Sequence, residues 1–225
     1  MAQTTSELWR KLYEAKNTER EYAHEINGVW YGDGAEVASS VKNELFETFG
    51  IGRATSAQLS LEILADDIPK GAEIKRCVRL VNGAEVSEWL PKGTFYAASR
   101  DEDDGYWTIE AFDAMTKANA KYLPDEINDT WPKPMPDVVA EIAANIGVEI
   151  DSRTVINPAY MLQMPIGYTQ REILAHIAAA HGGNFIISDA GALLLVPLLS
   201  APAETSYLIN EHGSAIVVGG VRIVV

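Results

Sequence analysis

The feature that most constrains this chain is the alternation of apolar and polar residues between residues 55 and 112. In "SAQLSLEIL", every second residue from Leu59 to Ile63 is apolar, which places these side chains on one face of a strand. Asn-Gly pairs at 27–28 and 82–83 lie between strand-like runs and are typical of tight hairpin turns. Short strands joined by tight turns predict an antiparallel meander or a small barrel.

Helical patterns flank this β-rich stretch. Residues 5–16 predict a short amphipathic helix, and "VKNELFETFG" at 41–50 predicts a helical turn that ends at its glycine. Residues 136–148 and 169–181 carry apolar residues at helical spacing. The second of these helices is followed by the hairpin pattern "NFIISDAGALLLVPL", and the chain ends on the apolar run "GGVRIVV". Between the β-rich and helical parts, four prolines cluster in "LPDEINDTWPKPMP", which predicts a domain boundary.

Charge and composition exclude several classes of protein. The 225 residues carry a formal charge of −14, which argues against a free-standing nucleic-acid binder. No apolar run approaches the roughly 20 residues that span a bilayer, and the N-terminus lacks the apolar core of a signal peptide. We therefore expect synthesis in the cytoplasm without a cleaved signal and no membrane-spanning segment. The single cysteine, Cys77, excludes an internal disulfide, and its strand-like surroundings favour a small buried residue over a nucleophile.

The stretch "REILAHIAAAHGGNF" invites a metal or phosphate interpretation. Zinc-protease helices place two histidines four residues apart on one face, whereas His176 and His181 are five apart. That spacing separates them by roughly 140° around a helix, so their rings diverge. The Gly-Gly pair follows this helix, whereas a phosphate loop has its glycines before one.

Capping explains the remaining residues of the same helix. Thr169 and Glu172 in "TQRE" predict a capping box at its N-terminus. Gly182 is placed to end the helix in the left-handed conformation. A zinc site formed by Glu172, His176 and His181 stays a minor alternative.

Acidic residues offer the other chemical candidates. Four consecutive carboxylates in "RDEDDG" at 100–105 cannot all point at one ion from an extended strand, which favours a solvated hairpin tip over a weak calcium or magnesium site. The "YGDGAE" segment at 31–36 lacks the spaced ligands of a calcium loop and predicts a tight turn. Asp113 and Asp151 have no partner visible in sequence, and no nucleophile lies in a G-x-S-x-G setting. We predict no catalytic, cofactor-binding or metal-binding residue, no cofactor, and a protein that is not an enzyme.

Four segments together cover most of residues 50–198: "GIGRATSAQLSLEIL", "IPKGAEIKRCVRL", "SEWLPKGTFYAASRDEDDGYWTIEAFDAMTKANAKY" and "MPIGYTQREILAHIAAAHGGNFIISDAGALLLVPL". In order and spacing they resemble the hub proteins of bacteriophage tails, especially those of Gram-positive phages and prophages. The wider group includes late-control tail proteins and the tip proteins of type VI secretion. The order of the segments carries the resemblance, since each alone is ordinary capping and turn chemistry.

The resemblance implies an α+β fold. Residues 1–125 would form an antiparallel β-barrel-like tube domain with a short N-terminal helix, and 132–200 a smaller inserted α/β domain. Residues 201–225 would return to the tube domain as a C-terminal strand. The chain would form a homotrimeric ring with pseudo-sixfold symmetry in the virion, joining the tail tube to the tip.

The resemblance also implies partners and an alternative function. Distal tail, tube, tip or spike proteins would contact the ring, and DNA would pass through its acidic channel without specific binding. Relatives often continue into further tube strands, a spike or a peptidoglycan hydrolase. Either this chain is a piece of such a protein, or lysis is left to a partner. The alternative function is therefore the non-catalytic N-terminal part of a tail-associated hydrolase or endopeptidase; an acidic cytoplasmic binding module is a further alternative.

Overall fold

A computed structural model describes residues 5–32, 34–43, 50–124, 130–198, 217–218 and 221–222. The helices are α1 Glu7–Glu14, α2 Met135–Ile146 and α3 Gln170–Ala180, with a 3-10 helix at Ala114–Asn119. The strands are β1 Glu19–Ile26, β2 Val29–Tyr31, β3 Glu36–Asn43, β4 Arg53–Ala54, β5 Ala57–Leu64, β6 Glu73–Asn82, β7 Glu85–Val86, β8 Leu90–Asp103, β9 Tyr106–Asp113, β10 Lys133–Pro134, β11 Met161–Leu162, β12 Gly183–Ile187, β13 Leu193–Pro197, β14 Val217–Val218 and β15 Val221–Arg222. The mixture of antiparallel sheet and helices agrees with the predicted α+β class.

The largest unit is an eight-stranded antiparallel sheet in the order β2-β1-β6-β8-β9-β5-β3, with β7 paired to β6. Both predicted Asn-Gly turns are present, since β1 pairs with β2 and β6 pairs with β7 across them. The charged turn joins β8 to β9, and its central residues Asp104 and Gly105 both have positive φ. The predicted antiparallel strands and tight turns are therefore confirmed, but the sheet is not a simple meander, because β1 pairs with β6 and β5 pairs with β9.

The sheet is curled, yet it is not a closed barrel. His24 Nε2 in β1 lies 2.6 Å from Glu36 Oε2 in β3, and Arg76 in β6 donates to Ser39 Oγ in β3 at 2.9 Å. These side chains meet although their strands are not neighbours in the sheet. No ladder joins β2 to β3 within the described residues, so the expected closed tube is not what this part of the chain forms.

Two apolar cores lie on either side of the junction between sheet and helices. The alternating residues of β5 are buried as predicted, in a core that the curled sheet encloses. This sheet core comprises Ile26, Ala57, Leu59, Leu61, Ile63, Ala65, Ile68, Ala72, Ile74, Phe95, Ala97, Ile109 and Ala111. The second core gathers the apolar stripes of α2 and α3 against the β12–β13 hairpin and the 3-10 helix. The apolar residues at helical spacing in α2 and α3 are all buried in it, together with Phe185 of β12: Val138, Val139, Ile142, Ile146, Ile173, Leu174, Ile177 and Ala178.

The helix ends follow the predicted stop signals. Gly147 closes α2 with φ of 75°, and Gly182 follows α3 with φ of 61°. Both values lie in the left-handed region that glycine adopts without the steric cost of a Cβ atom.

One local prediction is wrong, and two concern residues outside the described part. Instead of starting a helical turn, residues 41–43 continue β3, with Val41 opposite Leu59 and Asn43 opposite Ala57. Pairing with a neighbouring strand overrides the local helical pattern there; residues 44–49 lie outside the described residues. At the C-terminus, Val217–Val218 pair with Val221–Arg222, and the predicted return of 201–225 to the tube domain otherwise falls on undescribed residues.

Candidate functional site

The helix with the two histidines is held by its caps and by packing. Thr169 Oγ1 accepts from the Glu172 backbone N–H at 3.2 Å, and the Thr169 N–H donates to the Glu172 carboxylate at 2.7 Å. The predicted capping box is confirmed. Hydrogen bonds from the Thr169 backbone and hydroxyl lower the pKa of the Glu172 carboxyl.

The histidine rings point to different partners, as their spacing predicts. His176 packs edge-on against the Tyr168 ring, with centroids 5.5 Å apart. His181 Nε2 accepts from the Asn157 backbone N–H at 2.9 Å, which leaves Nδ1 to donate to the Ile177 carbonyl at 2.8 Å. His181 therefore joins the helix to the preceding irregular segment. Among the described residues, no three His, Cys, Asp or Glu side chains are grouped so that they could hold a metal ion.

The other single candidates also have structural surroundings. Cys77 is only partly buried, less than predicted, and burial raises the pKa of its thiol, which opposes nucleophilic activation. Asp151 binds Arg153 Nη2 at 2.6 Å, and this pairing holds the pKa of Asp151 well below its usual range.

The acidic turn is exposed, whereas most described residues of the glycine-rich turn are half-buried. Asp101–Asp104 form the solvated tip of the β8–β9 hairpin, as predicted, and Glu102 accepts the Gly105 backbone N–H at 2.8 Å. The predicted turn at 31–36 is present, with the Ala35 N–H bonded to the Gly32 carbonyl at 3.2 Å; its aspartate, Asp33, lies outside the described residues.

Asp113 is the buried acid whose partners the sequence does not reveal. Its side chain accepts from Ser56 Oγ at 2.7 Å, from the Ala57 N–H at 2.7 Å and from the Met115 N–H at 3.0 Å. Burial raises the pKa of Asp113 to about 6, against the lowering effect of these hydrogen bonds and of the Arg171 charge. Asp113 thereby holds the end of β9, the start of β5 and the 3-10 helix together.

The short strand β4 fastens the sheet to the helical core beside Asp113. It pairs in parallel with β12, and the Asn184 side chain accepts from the Arg53 N–H at 2.9 Å and donates to the Gly50 carbonyl at 2.8 Å. Arg171 Nε donates to the Ala54 carbonyl at 2.6 Å. These bonds hold β4 against β12 and α3. We therefore assign Asn184 and Arg171 a structural role.

The surface best suited to a function is the free edge of the sheet at β3. Within the described residues, this eight-residue strand pairs only with β5, and its register shifts between Glu36 and Ala38. Val37 is 57% exposed and Val41 is 41% exposed on this edge. An exposed edge strand offers unpaired backbone groups to another chain. We name Glu36–Asn43 the β3 edge.

The opposite end of the sheet has a second apolar surface. Val29 and Trp30 in β2 are largely exposed, and the Trp30 ring meets the Trp89 ring edge-on with centroids 5.4 Å apart. Aromatic residues are enriched where protein surfaces meet. Sequence reasoning overlooked both surfaces, because it placed a helical turn at the end of β3 and treated the "NG" hairpin only as a turn.

No protein-family profile and no curated protein matches this chain. Its fold is similar to two solved structures. The prophage MuSo2 43 kDa tail protein from Shewanella oneidensis has a TM-score of 0.53 at 15% identity, over 85% of this chain and 59% of that one. The tail protein from Neisseria meningitidis MC58 has a TM-score of 0.52 at 14% identity, over 87% of this chain and 58% of that one.

The chain thus spans less than two thirds of either of these tail proteins, and at such identities the likeness shows the fold alone. None of the helices in the described ranges is long and apolar enough to cross a membrane.

Proposed function

We propose that this chain is a structural component of a phage or prophage tail. Its place would be the tip or baseplate hub, where it links the tail tube to the tip and lines the channel. The observation that carries the proposal is an eight-stranded curled sheet with an exposed β3 edge, in a fold shared with two solved tail proteins.

An open edge favours assembly into a ring. A sheet that ends on an exposed eight-residue strand satisfies the outer backbone groups of that strand by pairing with another chain. When each copy presents one edge to the next, the contacts close into a ring if the rotation between copies allows it. A homotrimer is the ring we propose, with other tail proteins above and below it in the virion.

The charge of the chain suits a channel for DNA. A formal charge of −14 repels the phosphate backbone, so DNA can slide past without being held. A reconstruction of the assembled ring tests this point. A channel lined mainly by lysine and arginine would contradict it.

Oligomeric state tests the ring. We expect native mass spectrometry and light scattering over a concentration series to give a trimer for the unaltered chain. Ser40→Lys with Val41→Lys puts a charge on both faces of the β3 edge, at two exposed positions. Because lysine on an edge strand opposes pairing, we expect the trimer to weaken at least about tenfold.

The matched control is Ser152→Lys with Val155→Lys, which replaces the same residue types at exposed positions in the irregular segment after α2. We expect this variant to remain a trimer. An unaltered chain that stays monomeric at every concentration, or edge and control variants that behave alike, would overturn the proposal.

A further inference from the structure

A cleft with basic and aromatic walls lies between α1 and the concave face of the sheet. Its volume is about 320 Å³, and we call it the basic cleft. Its charged and aromatic lining residues are Trp9, Tyr13, Arg20, Tyr22, Arg76 and Lys92. No acidic residue is among the described residues that line it. The chain has a formal charge of −14, so a cleft whose described lining residues include three cations and no acid is unusual in it. Such a cleft is suited to binding a negatively charged group.

The cations of the basic cleft are only partly neutralised. Arg76 stacks over the Tyr22 ring at 4.0 Å, and its Nε is buried without a hydrogen-bond partner in the described part of the chain. Arg20 is exposed and forms no ion pair there. Lys92 forms an ion pair with Asp189 at 2.7 Å, and both side chains of this pair are exposed to solvent. The charge of Glu36 in β3 acts on Arg76, so Arg20 is the cleft cation with no acidic partner among the described residues, and the Lys92 pair is exposed enough to exchange its partner.

The chain carries a complementary group at the other end of β8. The acidic tip, which we define as Asp101–Asp104, is exposed, and Tyr106 beside it is 52% exposed. No cation of the described residues pairs with these four carboxylates. The tip thus offers acids for the arginines and a tyrosine for the aromatic walls of the cleft.

The acidic tip cannot reach the basic cleft of its own chain. Leu90 and Lys92 line the cleft at the start of β8, and Asp103 ends the same 14-residue strand. At about 3.3 Å per residue, these ends lie roughly 40 Å apart. A contact between tip and cleft must therefore join two copies.

We propose that the basic cleft of one copy binds the acidic tip of the next copy, head to tail. This inference rests on the proposed ring and names a contact that would set the order of its subunits. The cleft lies at the lower end of the roughly 300–1,000 Å³ range of ligand pockets, so it has room for one or two side chains of the tip rather than for the whole turn. Arginine, tyrosine and tryptophan are the residues that dominate binding energy at interfaces.

Charge reversal in both surfaces tests the contact. The cleft variant is Arg20→Glu with Lys92→Glu, and the tip variant is Asp101→Lys with Asp103→Lys. Each places like charges against each other, so we expect each to raise the dissociation constant of the oligomer at least about tenfold. The chain that carries both sets of changes restores opposite charges and should recover most of the affinity. Sedimentation equilibrium measures all four proteins, and urea unfolding checks that each is folded.

The control for the change in net charge is Lys16→Glu with Lys70→Glu, which alters the charge as much as the cleft variant does, at two exposed residues that do not line the cleft. We expect this control to associate like the unaltered chain. A second readout is salt: raising the ionic strength should weaken the unaltered chain more than the cleft variant, because screening removes an attraction that the variant lacks.

The outcomes separate this contact from the ring itself. A trimer whose dissociation constant is unchanged by both reversals would overturn the docking of tip into cleft and leave the ring standing. Weakening by each reversal without recovery in the combined variant would also overturn it. An unaltered chain that never associates would contradict both proposals.

Discussion

Asp113 shows what a single buried acid does in this protein. It is 3% exposed and accepts three hydrogen bonds from residues in two segments, Ser56–Ala57 and Met115. The bonds order the junction of the sheet with the 3-10 helix. Removal of the carboxyl group from water opposes its ionisation, which gives the junction a dependence on pH.

We expect the stabilising contribution of Asp113 to fall as pH rises from about 4 to about 6. The folded pKa of Asp113, about 6, lies above its ordinary value of 3.8, so between these values the folded state holds a proton that the unfolded state releases. The free energy of unfolding therefore loses up to roughly 2–3 kcal/mol from this group over that range. Asp113→Asn cannot titrate and removes this dependence.

Urea unfolding of the unaltered chain and of Asp113→Asn at pH 4, 5, 6 and 7 measures the effect. The stability lost on substitution should shrink with rising pH. Asp66→Asn, at an exposed position, controls for the loss of a negative charge. A stability difference that grows with pH would mean that the hydrogen bonds outweigh burial and favour the carboxylate.

At the scale of elements, α3 is the best example of a helix that its own residues specify. The hydroxyl oxygen of Thr169 accepts a hydrogen bond from the Glu172 N–H, and the carboxylate of Glu172 accepts one from the Thr169 N–H. We expect Thr169→Ala to lower the free energy of unfolding by about 1 kcal/mol, because one N–H at the helix start loses its acceptor.

Thr169→Ser is the matched variant, since it keeps the hydroxyl and should retain most of the stability. Thermal and urea unfolding of both variants give the comparison. If the alanine and serine variants were equally stable, the capping bond would contribute nothing to the stability of this fold.

Local rules predicted α3 and the hairpins because their signals lie within a few residues of each other. The Asn27-Gly28 turn and the Thr169–Glu172 box both need only short segments of chain. The β3 edge was mispredicted at 41–43, because its conformation depends on pairing with β5, more than a dozen residues further along the chain. The partners of Asp113 could not be predicted from local sequence for the same reason, because Ser56 is 57 residues away along the chain.

At the scale of the whole molecule, the joint between sheet and helices depends on close backbone contact at Gly52. Its φ is +77°, and a Cβ built there would lie 2.8 Å from the Ala179 Cβ in α3. No side chain fits without moving the helix away from β4. The joint therefore depends on glycine both for conformation and for space.

We expect Gly52→Ala to destabilise the whole fold by roughly 1–3 kcal/mol in urea unfolding. Gly71→Ala is the matched control, because its φ is +73° and nothing lies within 4 Å of the added Cβ. The control incurs only the cost of the left-handed conformation, so the difference between the variants isolates the clash with α3. Equal losses would show that α3 yields to the added methyl group without cost.

The curl of the sheet has a mechanical consequence. In a closed barrel, strand number and shear together determine the radius. Here β3 meets β1 and β6 through two side-chain contacts, His24 with Glu36 and Arg76 with Ser39, rather than through a ladder. Within the described residues, the curvature can therefore change by breaking these side-chain contacts, while every strand pair stays intact. A curled sheet held in this way can adjust its radius to fit a neighbouring protein of different diameter.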